Sequence, residues 1–71
     1  MTYWIHPNNP PEYLLDAWES LYEGFGTEPF SKGAAVDFLG TRYPSLDRPS
    51  LGKLIDSFVE QGSLGYSEKE L

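Results

Sequence analysis

The sequence predicts a mainly α domain of three helices, with a small two- or three-stranded β element from the N- and C-terminal segments. Three observations predict this fold class. Apolar side chains recur at the helical period in three segments that glycine and proline separate. A short strand candidate lies near each end, and 71 residues suit a single domain. The predicted bounds are strand 2–6, helix 10–23, helix 32–42, helix 48–61 and strand 63–67.

The first strand, TYWIH, is rich in aromatic and β-branched residues and is followed by a proline. The first helix has a strong start signal: Asn9 is the expected N-cap, Pro10 suits the first helical position, and Glu12 completes a capping box. Gly24 and Gly26 are expected to end it. Its apolar residues form one stripe, Leu14, Leu15, Trp18, Leu21 and Tyr22.

The second helix is expected to begin after Ser31, its N-cap, and to end before Pro44, which keeps the preceding residue out of the helical region. Either Ser45 or Asp47 then caps the third helix, with Pro49 in its first turn. The buried side of the second helix is Ala35, Val36, Phe38 and Leu39, and that of the third is Leu51, Leu54, Ile55, Phe58 and Val59. Gly62 is expected just past the third helix, and the chain after Ser67 is expected to fray.

Composition excludes several classes of protein. The absence of cysteine removes disulfide scaffolds and cysteine-based zinc sites, and 15% aromatic residues predict a real core. No window has the roughly 18 apolar residues of a membrane helix, and residues 1–9 lack the features of a signal peptide. We therefore expect a complete small cytoplasmic protein. The net charge of -6 argues against non-specific binding to nucleic acid or anionic membranes.

The order of helix, extended link, helix, turn, helix, glycine and strand resembles a winged helix-turn-helix domain. The stretch from Pro29-Phe30-Ser31 to Gly62-Ser63-Leu64 carries this resemblance, and the third helix resembles the recognition helix of that family. Two features depart from the pattern. Too few residues follow Gly62 for a full wing, so we expect Tyr3–Ile5 to replace it by pairing with Leu64–Tyr66. The turn from Tyr43 to Asp47 is longer than the simplest helix-turn-helix turn.

Acidic residues are predicted to line one face of the first helix, opposite its apolar stripe. No lysine or arginine lies between residues 12 and 31, so we expect no local partner to neutralise them. Such a face is a candidate surface for a basic protein; the simpler interpretation is a solvated face of an acidic protein. The four carboxylates are Glu12, Asp16, Glu19 and Glu23. A divalent cation is not expected on them, because such ions favour oxygens clustered by a folded loop.

Segments of the chain differ in charge. Residues 12–28 sum to -5, residues 29–53 to +2 and residues 54–71 to -3. The basic surplus falls where a helix-turn-helix would meet DNA. A nucleic-acid site would use Arg42, Ser45, Arg48, Ser50 and Lys53. The alternative is that Arg48 and Lys53 only pair with Asp47 and Asp56.

Enzymatic motifs are missing from the sequence: it has no glycine-rich phosphate loop, no nucleophile elbow and no HExxH. The single histidine, His6, is expected to be a polar end of the first strand. Trp4 and Tyr13 are the expected exposed aromatics, because they fall off the apolar stripes. We expect no enzyme, cofactor or small-molecule substrate. The leading hypothesis is a regulatory module that binds a basic protein surface, as an inhibitor or adaptor of nucleic-acid machinery; the alternative is a DNA-binding winged-helix regulator acting as a homodimer.

Overall fold

The computed structural model describes residues 2–68 and contains three helices and a two-stranded antiparallel sheet. Its predicted mainly α class is confirmed, and its layout is compatible with a winged-helix-like arrangement. The part of the predicted frayed tail at 69–71 lies outside the described residues. In chain order the elements are β1 (Thr2–Ile5), α1 (Glu12–Phe25), α2 (Lys32–Arg42), α3 (Arg48–Glu60) and β2 (Leu64–Ser67).

Helix α1 starts and ends two residues later than the sequence predicted. The N-cap is Pro11, in an extended conformation and without a side-chain cap, so the assignment of Asn9 was wrong. The physical reason is the second proline: Pro11 keeps Pro10 out of the helical region. At the other end, Gly24 stays in the helix, and Gly26 ends it with φ of 61° and an N–H that donates to the Tyr22 carbonyl.

The caps of α2 and α3 are confirmed. Ser31 accepts a hydrogen bond from the Ala34 N–H, and Asp47, not Ser45, accepts one from the Ser50 N–H. After α3, Gly62 has φ of 77°, and the Ser63 N–H reaches back to the Phe58 carbonyl at 2.9 Å. This pattern satisfies carbonyls at the helix end and turns the chain toward β2.

Strand β1 pairs with β2 in the predicted way, with Tyr3 opposite Tyr66 and Ile5 opposite Leu64. On its other side, Tyr3 exchanges two backbone hydrogen bonds of 2.8 Å with Phe30. The N-terminal strand therefore lies between β2 and the link that precedes α2.

The core lies between the sheet and the three helices. Every element contributes to it, and Leu21, Leu39, Ile55 and Phe58 are completely buried. Aromatic rings connect the sheet to the helices: Phe25 stacks on Phe30 with ring centroids 4.4 Å apart. The absence of a side chain at Gly24 matters here, because a Cβ at that position would overlap the ring of Phe38. This contact explains why a glycine lies inside α1 and not at its end.

Candidate functional site

The outer side of α1 carries the predicted carboxylates. Glu12, Asp16, Glu19 and Glu23 are all exposed. The buried side of the same helix is formed by Leu14, Ala17, Trp18, Ser20 and Leu21. The helical period thus separates a charged surface from the core, as the spacing predicted. The sequence was less accurate about Tyr22, which belongs to the apolar stripe by spacing but is 52% exposed.

Asp16 differs from the other three carboxylates because it has partners inside the protein. It accepts a hydrogen bond from the Tyr43 hydroxyl, and Arg42 Nη2 lies 3.8 Å from its Oδ1. The sequence predicted only that no local partner offsets these carboxylates, and the partners of Asp16 are indeed distant along the chain. Both partners come from the C-terminal end of α2, which packs against α1 and is distant in sequence. Burial, and then the hydrogen bond to Asp16, raise the pKa of Tyr43.

Aspartates and glutamates differ in the contacts that they make within the fold. All four aspartates are engaged: Asp16, Asp37 and Asp56 form ion pairs, and Asp47 caps α3. Within residues 2–68, no ion pair involves a glutamate. We call the three exposed glutamates of α1 the glutamate face: Glu12, Glu19 and Glu23. Among residues 2–68, no lysine or arginine forms an ion pair with any of these three glutamates.

An apolar groove of about 550 Å³ lies beside the glutamate face. Its walls come from β1, from α1 and from the link after α1. Its lining includes Trp4, Ile5, Pro7, Trp18, Tyr22 and Pro29. We call it the aromatic groove. The sequence predicted the exposure of Trp4, which is 36% exposed, and of Tyr13, at 81%. It did not predict a groove, because its residues meet only when β1 packs beside α1.

Hydrogen bonding and close packing hold the walls of the aromatic groove. The Trp18 indole donates a buried hydrogen bond of 2.8 Å to the Ser63 carbonyl. The Trp18 and Tyr22 rings lie 6.2 Å apart, between centroids, with a tilt of 44°. Trp4 lies directly against Gly65 on β2, where a Cβ would overlap the indole. These contacts position Trp18 and Trp4, and the absence of a side chain at Gly65 is required for the position of Trp4.

The aromatic groove and the glutamate face are continuous. A second depression of about 400 Å³ is lined by Trp18, Glu19, Tyr22 and Glu23. Two of these residues also line the aromatic groove, so one surface passes from apolar rings to carboxylates. A ligand that covers this surface would meet both kinds of chemistry at once.

The residues of the predicted nucleic-acid site lie along the end of α2, the following turn and the start of α3, and all are exposed. Arg42 lies beside Asp16, and Arg48 forms a 2.6 Å ion pair with Asp37. The Ser50 N–H is used by the α3 cap, whereas Ser45 lies in the exposed turn. Among residues 2–68, Lys53 has no ion pair.

The sequence-based alternative, in which Arg48 and Lys53 pair with Asp47 and Asp56, was wrong about the partners. Arg48 pairs with Asp37 and not with Asp47, and Asp56 pairs with Lys32 at 2.7 Å and not with Lys53. The hydrogen bond to Asp56 raises the pKa of Lys32. Hydrogen bonding from Ser50, whose N–H lies 2.9 Å from Asp47 Oδ1, lowers the pKa of Asp47. That carboxylate is thus committed to the helix cap.

No group of three or more histidine, aspartate or glutamate side chains within residues 2–68 is arranged to hold a metal ion. Over the same range, none of the helices has both the length and the apolar character to cross a bilayer. Comparisons of the chain with protein-family models, with curated proteins and with solved structures found no match. Function therefore has to be argued from the surface itself.

Proposed function

We propose that this chain is a non-enzymatic interaction module on a winged-helix-like scaffold, and that it binds a basic protein surface through the glutamate face of α1. A basic surface of this kind is typical of proteins that handle nucleic acid, so the module would act as an inhibitor or adaptor of such machinery. The observation that carries the proposal is the contrast between acidic residues. Each aspartate is engaged within the fold, whereas Glu12, Glu19 and Glu23 are exposed on one helix and form no ion pair within the described part of the chain.

Electrostatics make such a face suitable for recognition. Like charges on one side of a helix cost a few tenths of a kcal/mol per pair in the free protein. A complementary cationic surface removes this repulsion and steers the encounter between the two proteins. The net charge of -6 adds to the steering, because the whole molecule attracts a basic partner.

The DNA-binding alternative is less well supported. Arg42 and Arg48 would each have to exchange an aspartate for a phosphate, and Asp56 would face the backbone of the DNA from α3. Lys53 remains as the exposed cation without an ion pair among the described residues. Non-specific affinity grows with the number of phosphates neutralised, so a single available cation predicts weak binding.

The test uses a lysine-rich peptide of about twelve residues and a random DNA duplex as probes, both at low salt. We expect the peptide to bind and the Glu19→Lys/Glu23→Lys variant to weaken it roughly tenfold. The matched control is Glu60→Lys/Glu68→Lys, which makes the same change of charge on another part of the surface and is expected to change affinity less than about twofold.

Equal losses in the two double variants would mean that binding follows only net charge, which would overturn the proposal. Duplex binding tighter than about 10 μM, with a steep dependence on salt, would also overturn it and favour the DNA-binding alternative. Circular dichroism on each variant checks that the helices are intact.

A further inference from the structure

We propose that the aromatic groove receives a large apolar side chain of the partner, from a peptide segment in which lysine or arginine flanks that side chain. This inference rests on the proposed function and adds the chemistry of the partner. The glutamate face would hold the basic residues, and the groove would hold the apolar anchor.

The size and lining of the groove fit such an anchor. Its volume of about 550 Å³ lies within the range of pockets that bind ligands with specificity. Trp4 and Tyr22 are partly exposed, and burial of aromatic surface is a common source of binding energy at protein interfaces. Because Trp18 is fixed by its hydrogen bond to Ser63, the floor of the groove does not have to be ordered on binding.

Charge complementarity identifies the residues beside the anchor. Of the described residues, 2–68, those that line the groove include no lysine or arginine. Glu19 and Glu23 share a depression with two of its rings, and the exposed Glu28 lies between two lining residues of the link after α1. An apolar side chain in the groove therefore places its sequence neighbours close to the carboxylates of Glu19 and Glu23. Lysine or arginine suits those positions, and an acidic neighbour would be repelled.

A second copy of this chain fits the groove less well. Two copies carry the same net charge of -6, and docking groove to groove would bring Glu19 and Glu23 of one molecule toward those of the other. Like-charge contacts of this kind disfavour an interface. The occupant is therefore a basic segment of a different protein.

The test uses three peptides of about ten residues that share one backbone sequence design. The first has a central phenylalanine flanked by lysines, the second a central serine flanked by lysines, and the third a central phenylalanine flanked by glutamates. The affinity of each is measured by titration calorimetry. Because the protein contains two tryptophans, NMR spectra give one indole N–H signal each for Trp4 and Trp18, and these signals report occupancy of the groove.

We expect the phenylalanine–lysine peptide to bind at least roughly tenfold more tightly than the serine–lysine peptide and to shift both indole signals. Tyr22→Ala is expected to remove this difference by lowering the affinity of the phenylalanine–lysine peptide. The matched control is Tyr13→Ala, which removes an exposed tyrosine of the same helix that does not line the groove, and it is expected to preserve the difference. Trp4→Ala is a second groove variant.

Equal affinities for the two lysine peptides would overturn the inference and leave the proposed function standing. Equal affinities for the two phenylalanine peptides would overturn both, because charge would then play no part. If sedimentation shows a dimer, and dilution alone shifts the indole signals, the groove is occupied by a second copy and the inference is wrong.

Discussion

Ser63 tests whether a buried polar group without a hydrogen-bond partner destabilises this small core. The residue is completely buried, and its hydroxyl is the one buried side-chain polar atom without a hydrogen-bond partner in residues 2–68. Its backbone is well held: the N–H donates to Phe58, and the carbonyl accepts from the N–H of His6 and the indole of Trp18. The side chain therefore cannot turn to water without breaking these bonds.

Ser63→Ala removes the hydroxyl and keeps all three backbone interactions. An unpaired buried hydroxyl costs about 1–3 kcal/mol in proteins, so its removal is stabilising. The small void left by the oxygen is destabilising and offsets part of this gain. We expect a net increase of about 1 kcal/mol in the free energy of unfolding. For a domain of this size, this corresponds to a rise in Tm of about 4–8 °C.

Urea unfolding followed by tryptophan fluorescence measures this change, because the Trp18 indole contacts the Ser63 carbonyl. Ser45→Ala, in the exposed turn, is the matched control and is expected to change stability by less than about 0.5 kcal/mol. A loss of about 1 kcal/mol or more in Ser63→Ala would refute the reasoning. It would mean that the hydroxyl has a partner, such as a buried water molecule.

Three further predictions concern a cap, a titration and a close contact. Ser31→Ala removes the side-chain cap of α2 and is expected to lower the free energy of unfolding by about 1 kcal/mol in urea titrations. The pKa of Tyr43 is raised above its usual 10.0. The stability that this shift contributes is therefore complete below pH 10 and is lost as the pH rises through the folded-state pKa. Tyr43→Phe cannot ionise or donate to Asp16, so its free energy of unfolding should fall less between neutral and alkaline pH. Gly65→Ala should displace the indole of Trp4, lower stability by about 1–3 kcal/mol and shift the tryptophan fluorescence, whereas unchanged fluorescence would show that the indole does not lie against the strand.

Local patterns predicted the elements of this fold well. The helical periods, the caps at Ser31 and Asp47 and the glycine at Gly62 all depend on residues within a few positions of one another. The pairing of β1 with β2 also followed, because few other partners were available for either strand. The assignment of Asn9 failed because two consecutive prolines impose a restriction that a single proline does not.

The charge pattern was harder to predict because ion pairs depend on packing. Arg42 and Lys32 gave the middle segment its apparent surplus of positive charge, yet they pair with Asp16 on α1 and Asp56 on α3. These partners lie more than twenty positions away in sequence. The segment is therefore less available for a polyanion than its composition indicates. The aromatic groove was hidden for the same reason, because its walls come from three separate parts of the chain.

The position of β1 at the centre of the β element has a consequence for biosynthesis. This strand leaves the ribosome before all three helices, and its partner β2 leaves after them. Apart from the bridge to Phe30, β1 has no strand partner until all three helices have been synthesised, and contacts between such distant segments form slowly. Because β1 carries Trp4, the aromatic groove is completed only at that last step. A chain from which β2 is removed would therefore still display the carboxylates of α1, but Trp4 would lose the strand that it packs against.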